Sequence, residues 1–421
     1  MKTISRRQFI KSGILTLAWA SQHRLLGGMT TAFAGSTDSA SSDGLLVIFL
    51  RGGCDGLNFL TPINDSDYGI YSAARPNLKL NITGKDALLK LDDHFGLHPS
   101  AGALTDLFKQ KNLAFIHAVG LKGGNRSHFD SQLRMEQGSG PKFSVSSGWI
   151  GRYITSLGDI GHSDLPGMTV GPLLDQSLYG LPTATALENP GRFDLTGPKA
   201  VQAEMRSALR KIYASSDNDP LHFTGKAILS SIDKFETFNP KDLNSSDKGK
   251  YPDGELGQRL RAASWLFKNL PTLKVVTVSM GGWDTHRYQG SGGEGRFAQL
   301  VGQLSQGMYA FSDEFAKTSR KPPTIIVMTE FGRRLKENAN RGTDHGHGSF
   351  MMALGADVKG GRIYGTWPGL ATDSLFERAD LQITTDYRDV ISEILMKQTP
   401  KIRPSEVFPG LMSGQQLGLM S

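Results

Sequence analysis

Apolar runs and helical patterns alternate along most of this chain. The run from Leu45 to Leu50 contains no polar residue and ends abruptly at Arg51 and two glycines, as expected of a strand that is buried on both faces. Further strand-like runs cover residues 113–119, 274–280, 324–329 and 350–354, and helical patterns cover residues 255–269 and 295–318. Strands that alternate with helices predict an α/β fold, with a parallel or mostly parallel central sheet and helices on both faces.

The first 34 residues differ in composition from the rest of the chain. Two adjacent arginines, Arg6 and Arg7, precede a short apolar run and an Ala-Phe-Ala cleavage pattern at residues 32–34. This arrangement predicts a twin-arginine signal peptide over residues 1–34. The twin-arginine export machinery is then an expected partner, and the mature protein is expected to be periplasmic or secreted. The alternative is an ordinary amphipathic first helix that happens to contain two arginines.

The charge and length of the chain indicate its partners and its number of domains. The chain has 421 residues, 47 basic and 40 acidic side chains, and a net charge of +7. Five of the basic residues lie in the first 34, so the mature protein is nearly neutral and no nucleic-acid partner is expected. After a spacer at residues 35–44, residues 45–421 are predicted to form a single domain. No run reaches the roughly 20 apolar residues needed to cross a bilayer, so no membrane span is expected in the mature form.

A single cysteine limits the chemistry that is available. Cys54 cannot form an intrachain disulfide, and its isolation excludes sites built from several thiolates. No histidine lies in its own loop to activate it, so Cys54 is expected to fill space. Any metal ion must therefore be bound by histidine and carboxylate side chains.

Such side chains collect in five segments that border the predicted strands. In open α/β sheets, ligand sites form at the carboxyl ends of the strands, so the five segments are expected to meet in one cleft. Residues two apart in an extended segment face the same side, so Asp284 with His286, and His345 with His347, can each act as a pair of ligands. The candidate metal ligands are Asp55, Asp284, His286, Glu330, Asp344, His345 and His347.

This set of side chains favours one or two divalent cations. Imidazole and carboxylate together suit zinc, manganese or iron, and also calcium if more oxygen ligands are added. A single Asp-x-His is common in solvated turns, but two pairs in one chain, with Asp55 and Glu330 after other strands, favour a shared site. The alternative is a structural polar network that closes the edge of the sheet.

Anion binding and catalysis have their own candidates. Arg126 and Arg333 carry guanidinium groups that match phosphate or sulfate oxygens, and ordinary surface solvation is the competing explanation for both. Ser127 is the candidate nucleophile, because a divalent cation can activate a neighbouring hydroxyl. The chain has no G-x-S-x-G or G-x-x-x-x-G-K-[ST] motif, which argues against a lipase-like hydrolase and a nucleoside triphosphatase.

Five motifs carry a resemblance to a known family. They are residues 49–58 (FLRGGCDGLN), 126–130 (RSHFD), 281–286 (GGWDTH), 329–334 (TEFGRR) and 342–348 (GTDHGHG). With them, nearly the whole mature chain resembles the twin-arginine-exported domain of unknown function family 1501. That family looks like a distant branch of the alkaline phosphatase and sulfatase superfamily. The resemblance implies an alkaline phosphatase-like fold. It also implies that the protein hydrolyses phosphate or sulfate esters at one or two metal ions, with a serine, threonine or modified cysteine nucleophile.

The resemblance also implies roles for individual residues. Asp55 is similar to the first metal aspartate of the superfamily, and Ser127 is similar to its nucleophile. Asp284 and His286 look like two ligands of one metal ion, and His345 or His347 looks like the third.

The chain departs from the superfamily at residues 329–332. The superfamily usually has Asp-His-Gly after this strand, and here Glu330 can replace the aspartate but Phe331 cannot bind a metal. A second metal ion would then need a ligand from Asp344, His345 or His128.

The sequence therefore favours an exported metal-dependent hydrolase of phosphate or sulfate esters, with an anionic small molecule or glycan as substrate. Ser127 would attack the ester, and Arg126 or Arg333 would neutralise the developing charge. A second hypothesis is a non-catalytic periplasmic metal-containing binding or assembly protein that recognises an anionic glycan or a partner protein. An exported redox enzyme is a third, with less support because the chain has no thiolate cluster.

Overall fold

The structure is a computed structural model. It describes residues 44–140, 143–158, 165–188, 195, 197–214, 220–236, 250–411 and 415–421. The predicted signal peptide at residues 1–34, and all of the predicted spacer except Gly44, lie outside the described residues.

Helices and strands are numbered in chain order through the described residues. The strands are β1 (Leu45–Leu50), β2 (Leu60–Pro62), β3 (Leu89–Lys90), β4 (Phe95–Leu97), β5 (Leu113–Gly120), β6 (Gly167–Val170), β7 (Thr185–Leu187), β8 (Val275–Met280), β9 (Thr324–Thr329), β10 (Arg333–Glu337), β11 (Thr343–His345), β12 (Ser349–Leu354), β13 (Arg362–Tyr364) and β14 (Thr385–Asp386). The α-helices are α1 (Gly56–Phe59), α2 (Asp65–Ala74), α3 (Gly102–Lys109), α4 (His128–Gln137), α5 (Trp149–Ser156), α6 (Lys199–Tyr213), α7 (Pro220–Glu236), α8 (Glu255–Asn269), α9 (Gly295–Ala316), α10 (Tyr387–Gln398) and α11 (Pro404–Val407). Short 3₁₀ turns cover Pro99–Ala101, Gln176–Leu178 and Thr372–Ser374.

Nine strands form the central sheet of the described part of the chain. Their order is β13-β5-β12-β9-β1-β8-β6-β7, and β14 pairs with β5 beside this path. β12 runs antiparallel to both of its neighbours, β5 and β9, and the other described pairs of the sheet are parallel. The mostly parallel α/β sheet predicted from the sequence is therefore confirmed. Two small antiparallel sheets, β10-β11 and β2-β4-β3, lie beside it.

The apolar runs predicted the main elements closely. The predicted strands at residues 45–50 and 324–329 have the observed bounds of β1 and β9, and the other three differ by a single residue at one end. The helical pattern at residues 255–269 coincides with α8, and the pattern from residue 295 ends at Ala316, two residues earlier than predicted.

Both faces of the sheet are covered by helices. Leu46, Ile48 and Leu50 of β1 are fully buried in one core with apolar residues of α3, α8 and α9. The alternate residues of β1 are buried in a second core with apolar residues of α5 and α10. This alternation explains why β1 contains no polar residue, because each side chain of a central strand enters one core or the other.

The direction of β12 decides where the chemically active segments meet. β1, β5, β8 and β9 run in the same direction, so their carboxyl ends lie at one edge of the sheet. β12 runs the opposite way, which places its first residue, Ser349, and the preceding segment 342–348 at that same edge. All five segments therefore leave the sheet on one side. None of the described helices is both long enough and apolar enough to cross a membrane.

Candidate metal centre

Three side chains at this edge bring their ligand atoms together. One ring nitrogen each of His128 and His345 and a carboxylate oxygen of Asp284 lie within 4.8 Å of one another. His345 Nε2 is 3.3 Å from Asp284 Oδ1, and His128 Nε2 is 3.5 Å from the same oxygen. His128 begins α4, Asp284 follows β8, and His345 ends β11, so three separate segments build this group.

His286 joins the group through two of its members. Its Nε2 atom lies 3.1 Å from Asp284 Oδ1 and 2.9 Å from His345 Nε2. Asp284 and His286 are therefore both directed to one point, as their spacing suggested. We refer to His128, Asp284, His286 and His345 as the four-residue cluster.

Each imidazole of the cluster has an acceptor for its other ring nitrogen. An Nδ1–H group that donates to such an acceptor leaves Nε2 as a lone pair directed into the cluster. Histidines that bind metals are commonly oriented in this way by a carboxylate or a backbone carbonyl. The acceptors are Glu330 Oε1 for His128 at 2.8 Å, Asp344 Oδ1 for His286 at 3.1 Å, and the carbonyl oxygen of Arg126 for His345 at 2.8 Å.

The donor atoms of the cluster fit a divalent cation. If His286 and His345 are neutral and oriented as above, two lone pairs face each other across 2.9 Å, and His128 Nε2 is buried with no hydrogen-bond partner. A buried nitrogen without a partner is costly. Ligand atoms bound at about 2.0–2.1 Å to a tetrahedral zinc ion lie roughly 3.3 Å apart, close to the spacings of 2.9–3.5 Å that join Asp284 to the three histidines and His286 to His345. A cation would relieve both unfavourable features.

Glu330 holds His128 but does not join the cluster. It is 2% exposed, and its Oε1 atom accepts hydrogen bonds from His128 Nδ1, Gln132 Nε2 and the Gly52 amide, each at 2.8 Å. Burial favours the neutral acid, but these hydrogen bonds outweigh it and hold the pKa of Glu330 below its ordinary value. The same bond raises the pKa of His128. Glu330 is therefore an ionised acceptor for the His128 ring.

Arg333 ties the surrounding segments together. Its fully buried guanidinium donates to the carbonyl oxygens of Gly53 at 2.7 Å, Thr343 at 2.8 Å and Gly52. It also lies 2.5 Å from Asp284 Oδ1. Burial opposes ionisation of Asp284, but the Arg333 guanidinium outweighs it and holds the pKa of Asp284 below its usual range. The sequence suggested Arg333 as a group for binding a substrate anion, and the structure places it inside the protein, holding three segments.

Two glycines allow these segments to approach so closely. Gly52 has φ +121°, and a Cβ atom there would lie 2.4 Å from the backbone nitrogen of Asp284. A Cβ atom on Gly346 would lie 2.4 Å from the carbonyl carbon of Arg333. Any side chain at either position would push the segments apart and separate the ligand atoms.

Asp55 lies in a different network. It is fully buried, and its Oδ2 atom accepts from Arg75 Nη1 at 2.7 Å and Gln289 Nε2 at 2.6 Å. Arg75 is also fully buried and donates to Asn58 Oδ1 at 2.6 Å. The charge of Asp55 is thus already balanced by a guanidinium, and the structure does not bring this candidate ligand into the cluster.

Asp344 and His347, two further candidate ligands, also lie outside the cluster. Asp344 is half exposed and accepts from Asn338 and His286; its pKa lies below the ordinary value, chiefly because of the Asn338 bond. The ring of His347 stacks on Phe376, with 3.9 Å between ring centroids, and burial lowers its pKa to about 4. The pairing expected for His345 and His347 needs an extended strand, but β11 ends at His345.

The remaining catalytic candidates flank His128. Ser127 is exposed and precedes α4 directly, and within the described residues no group bonds its hydroxyl. The Arg126 side chain pairs with Asp380, where Nε lies 2.8 Å from Oδ2, and with Glu377, where Nη2 lies 2.7 Å from Oε2. Cys54 is fully buried, and burial raises the pKa of its thiol well above the ordinary value.

The sequence pointed to His128 only as one possible substitute ligand. The signal that could have identified it is its position at the start of a helix that follows a buried strand, the same edge position as Asp284. Phe331 occupies the place where a further ligand was expected. Its ring packs on both imidazoles, with centroids 4.9 Å from His128 and 4.8 Å from His345.

One glycine pattern near the cluster has a structural explanation of its own. Residues 290–295 fit G-x-G-x-x-G and precede α9, but β8 already ends at Met280. The dinucleotide fingerprint follows its strand directly. In this chain Gly290 instead lies against Gly295, where a Cβ atom on Gly290 would be 2.7 Å from the Cα atom of Gly295. The glycines therefore allow the two ends of the loop at residues 290–295 to pack against each other.

Comparison with known proteins gives one family match, in the C-terminal part of the chain. Residues 247–410 match the family model described as "Protein of unknown function (DUF1501)". Over this stretch the chain is similar to the DUF1501 family. The DUF1501 match includes Asp284, His286 and His345 but not His128. No curated protein matches the chain. One solved structure that is similar to this chain is the alkaline phosphatase from the Antarctic bacterium TAB5, with 9% identity, coverage of 86% of this chain and 100% of that chain, and a TM-score of 0.33. At that score the likeness says nothing about the chemistry of the cluster.

Proposed function

We propose that this protein is an exported metal-dependent hydrolase of phosphate or sulfate esters. The observation that carries the proposal is the four-residue cluster, in which three oriented imidazoles and one carboxylate converge at the edge of the sheet. Three nitrogen ligands and one oxygen ligand favour zinc, iron or manganese over calcium, which takes six to eight oxygen ligands.

A divalent cation held by the cluster would polarise an ester oxygen and lower the pKa of a bound water or hydroxyl. The side chains of Asp284 and His286 are 48% and 37% exposed, so an ester has access to the cluster. Ser127 is our candidate nucleophile. Its hydroxyl oxygen would attack the phosphorus or sulfur atom, the bond to the leaving alcohol would break, and water would then release the acid from Ser127.

Neither candidate arginine has a free guanidinium. Arg333 is buried among backbone carbonyls, and Arg126 is paired with Asp380 and Glu377. A role for either one in neutralising the ester would require these bonds to open during the reaction. We therefore assign stabilisation of the developing charge to a cation that the four-residue cluster would hold, and Arg126 and Arg333 to the support of the cluster's geometry.

Export by the twin-arginine route is part of the proposal. It rests on Arg6, Arg7 and the cleavage pattern at residues 32–34. Replacing both arginines with lysine in the full chain should leave the uncleaved protein inside the cell. Processing and export that are unaffected by this double change would refute the twin-arginine assignment.

One observation favours a second candidate function. Because the guanidinium groups of Arg126 and Arg333 are already paired, neither candidate arginine is free to accompany the cation. A non-catalytic metal-containing binding or assembly protein, which recognises an anionic glycan or a partner protein, needs no such group. Cation binding without hydrolysis of any ester would support this alternative.

Metal content and ester hydrolysis together test the proposal. The mature protein, purified after export, should contain about one equivalent of a transition metal by elemental mass spectrometry. The Asp284→Ala/His286→Ala variant should lose it. The exposed His94 lies outside the cluster, and the matched control His94→Ala should retain the metal.

The metal-loaded protein should then hydrolyse at least one member of a panel of aryl and sugar phosphates and sulfates. Ser127→Ala should abolish this turnover and keep the metal. Wild-type protein that is free of metal and does not bind added zinc, iron or manganese would refute the metal-dependent hydrolase.

A further inference from the structure

The orientation of His345 depends on the main chain of a distant residue. His345 Nδ1 lies 2.8 Å from the carbonyl oxygen of Arg126, 219 positions earlier in the sequence. A neutral His345 that donates Nδ1–H to this carbonyl directs Nε2 to Asp284. The position of one backbone carbonyl therefore sets the direction of one cluster ligand.

This carbonyl lies in an irregular segment. Gly120 ends β5 and His128 begins α4, so no strand or helix fixes residues 121–127. Asn125 accepts hydrogen bonds from the Ser127 amide and the Ser131 hydroxyl, which anchors this segment to α4. The Arg126 side chain supplies a second anchor, because it binds Glu377 and Asp380, which lie 251 and 254 positions later in the sequence.

That second anchor is a tight turn at residues 376–380. Phe376 and Asp380 exchange backbone hydrogen bonds of 2.9 and 3.1 Å. The Arg126 guanidinium binds Asp380, which is fully buried, and Glu377, and it lies 5.6 Å from the ring centroid of Phe376. Three residues of one turn thus hold one guanidinium.

The conformation of this turn is unusual for its sequence. Glu377 and Arg378 have φ values of +50° and +57°, in the left-handed region that residues other than glycine and asparagine seldom adopt. A turn that needed only to reverse the chain would be better served by Asn-Gly. Here the residue at 377 carries the carboxylate that binds Arg126.

We propose that Arg126 is a positioning residue for the cation site, fixed by Asp380 and Glu377 so that its carbonyl oxygen orients His345. This inference rests on the cation site of the proposed function and is independent of the ester chemistry. It also gives Arg126 a role that does not require its guanidinium to meet a substrate.

Cobalt(II) bound to the mature protein provides the test. Affinity is measured by competition with a chelator, and the ligand-field absorption of cobalt reports the geometry of its ligands. Arg126→Lys keeps the charge that balances buried Asp380 but loses the fork that binds both carboxylates. It should weaken cobalt binding by up to about 10-fold, the lower end of the cost of losing a group that orients a metal ligand, because the carbonyl remains but loses its anchor, and it should change the spectrum.

Glu377→Gln should weaken binding less, by a few-fold, because Asp380 still holds Arg126. The matched control is Arg378→Ala in the same turn, whose side chain is exposed and pairs only with exposed Asp373 among the described residues. It should leave affinity and spectrum unchanged. Thermal unfolding of each cation-free variant shows whether it is folded.

Three outcomes would overturn the inference, and they can be told apart. Folded Arg126→Lys protein with wild-type affinity and spectrum would show that Arg126 stabilises the fold alone, and the cation site would survive. Wild-type protein that binds no cobalt would overturn this inference together with the proposed function. Loss of affinity in Arg378→Ala equal to that in Arg126→Lys would also overturn it, because the effect would then come from the turn in general.

Discussion

The removal of the Arg333 guanidinium should be the most damaging single change near the cluster. Arg333 is 1% exposed and donates to four backbone carbonyls at this edge besides its contact with Asp284. Arg333→Met keeps much of the side-chain volume and removes every donor. The carbonyls of Gly52, Gly53, Trp283 and Thr343 would then be left without this partner in a space that water does not reach.

The expected cost follows from these contacts. A hydrogen bond from a charged group is worth about 1.5–3 kcal/mol net, and removing one partner of a buried charged network costs about 3–5 kcal/mol. The individual bonds share one side chain and do not add, and Asp284 is half exposed, so it regains water. We expect Arg333→Met to lower the free energy of unfolding by about 3–5 kcal/mol, and Arg333→Lys by about 2–3 kcal/mol because one ammonium cannot reach all the carbonyls.

Urea unfolding in the presence of a chelator measures this cost without any contribution from bound cations. The neighbouring residue supplies the control, because the Arg334 side chain is 46% exposed and its Nε lies 3.8 Å from Asp380 Oδ1. Arg334→Met should cost less than about 1 kcal/mol. If Arg333→Met costs no more than Arg334→Met with an unchanged dependence on urea, Arg333 does not hold the three segments together.

Three further outcomes follow from the structure. Asp55→Asn should destabilise the protein by about 3–5 kcal/mol, because it removes the charge that balances fully buried Arg75, yet leave the metal content unchanged; loss of the metal would show that Asp55 contributes to the cation site. Glu330→Gln should weaken cobalt binding about 10-fold by removing the ionised acceptor of His128, and equal chelator competition in variant and wild type would contradict this. Burial lowers the pKa of His117 to about 4, so His117 favours unfolding as the pH falls from about 6.5 towards 4; His117→Phe should flatten the fall of the melting temperature between pH 7 and pH 4.5, and parallel curves would argue against it.

The strands were predictable because burial on both faces leaves a direct pattern in the sequence. β1 and β9 contain few or no polar residues, and their bounds followed from composition alone. The direction of β12 was not predictable, because an apolar run has no polarity along the chain. That direction is what brings His345 to the edge that His128 and Asp284 share.

The sequence did not show which groups the charged residues bind. Asp55 and Arg333 stand beside glycines in segments typical of ligand sites, and nothing local reveals that Asp55 binds Arg75 or that Arg333 is buried. Arg126 meets Asp380 across 254 positions. His347 was misleading for a local reason, since alternation applies only while the strand continues, and β11 ends at His345.

The place of β12 in the sheet also governs when the cluster can form. Among the described strands, β12 alone joins β5, which leads to His128, to β9, which leads to Glu330, and β8, which leads to Asp284, lies beyond β9. During synthesis the two halves of the sheet therefore remain unconnected until residues 349–354 are available to pair with both. Closing such distant pairs is slow, so cation capture should be among the last events of folding, and its rate should report the insertion of β12 rather than the encounter with the ion.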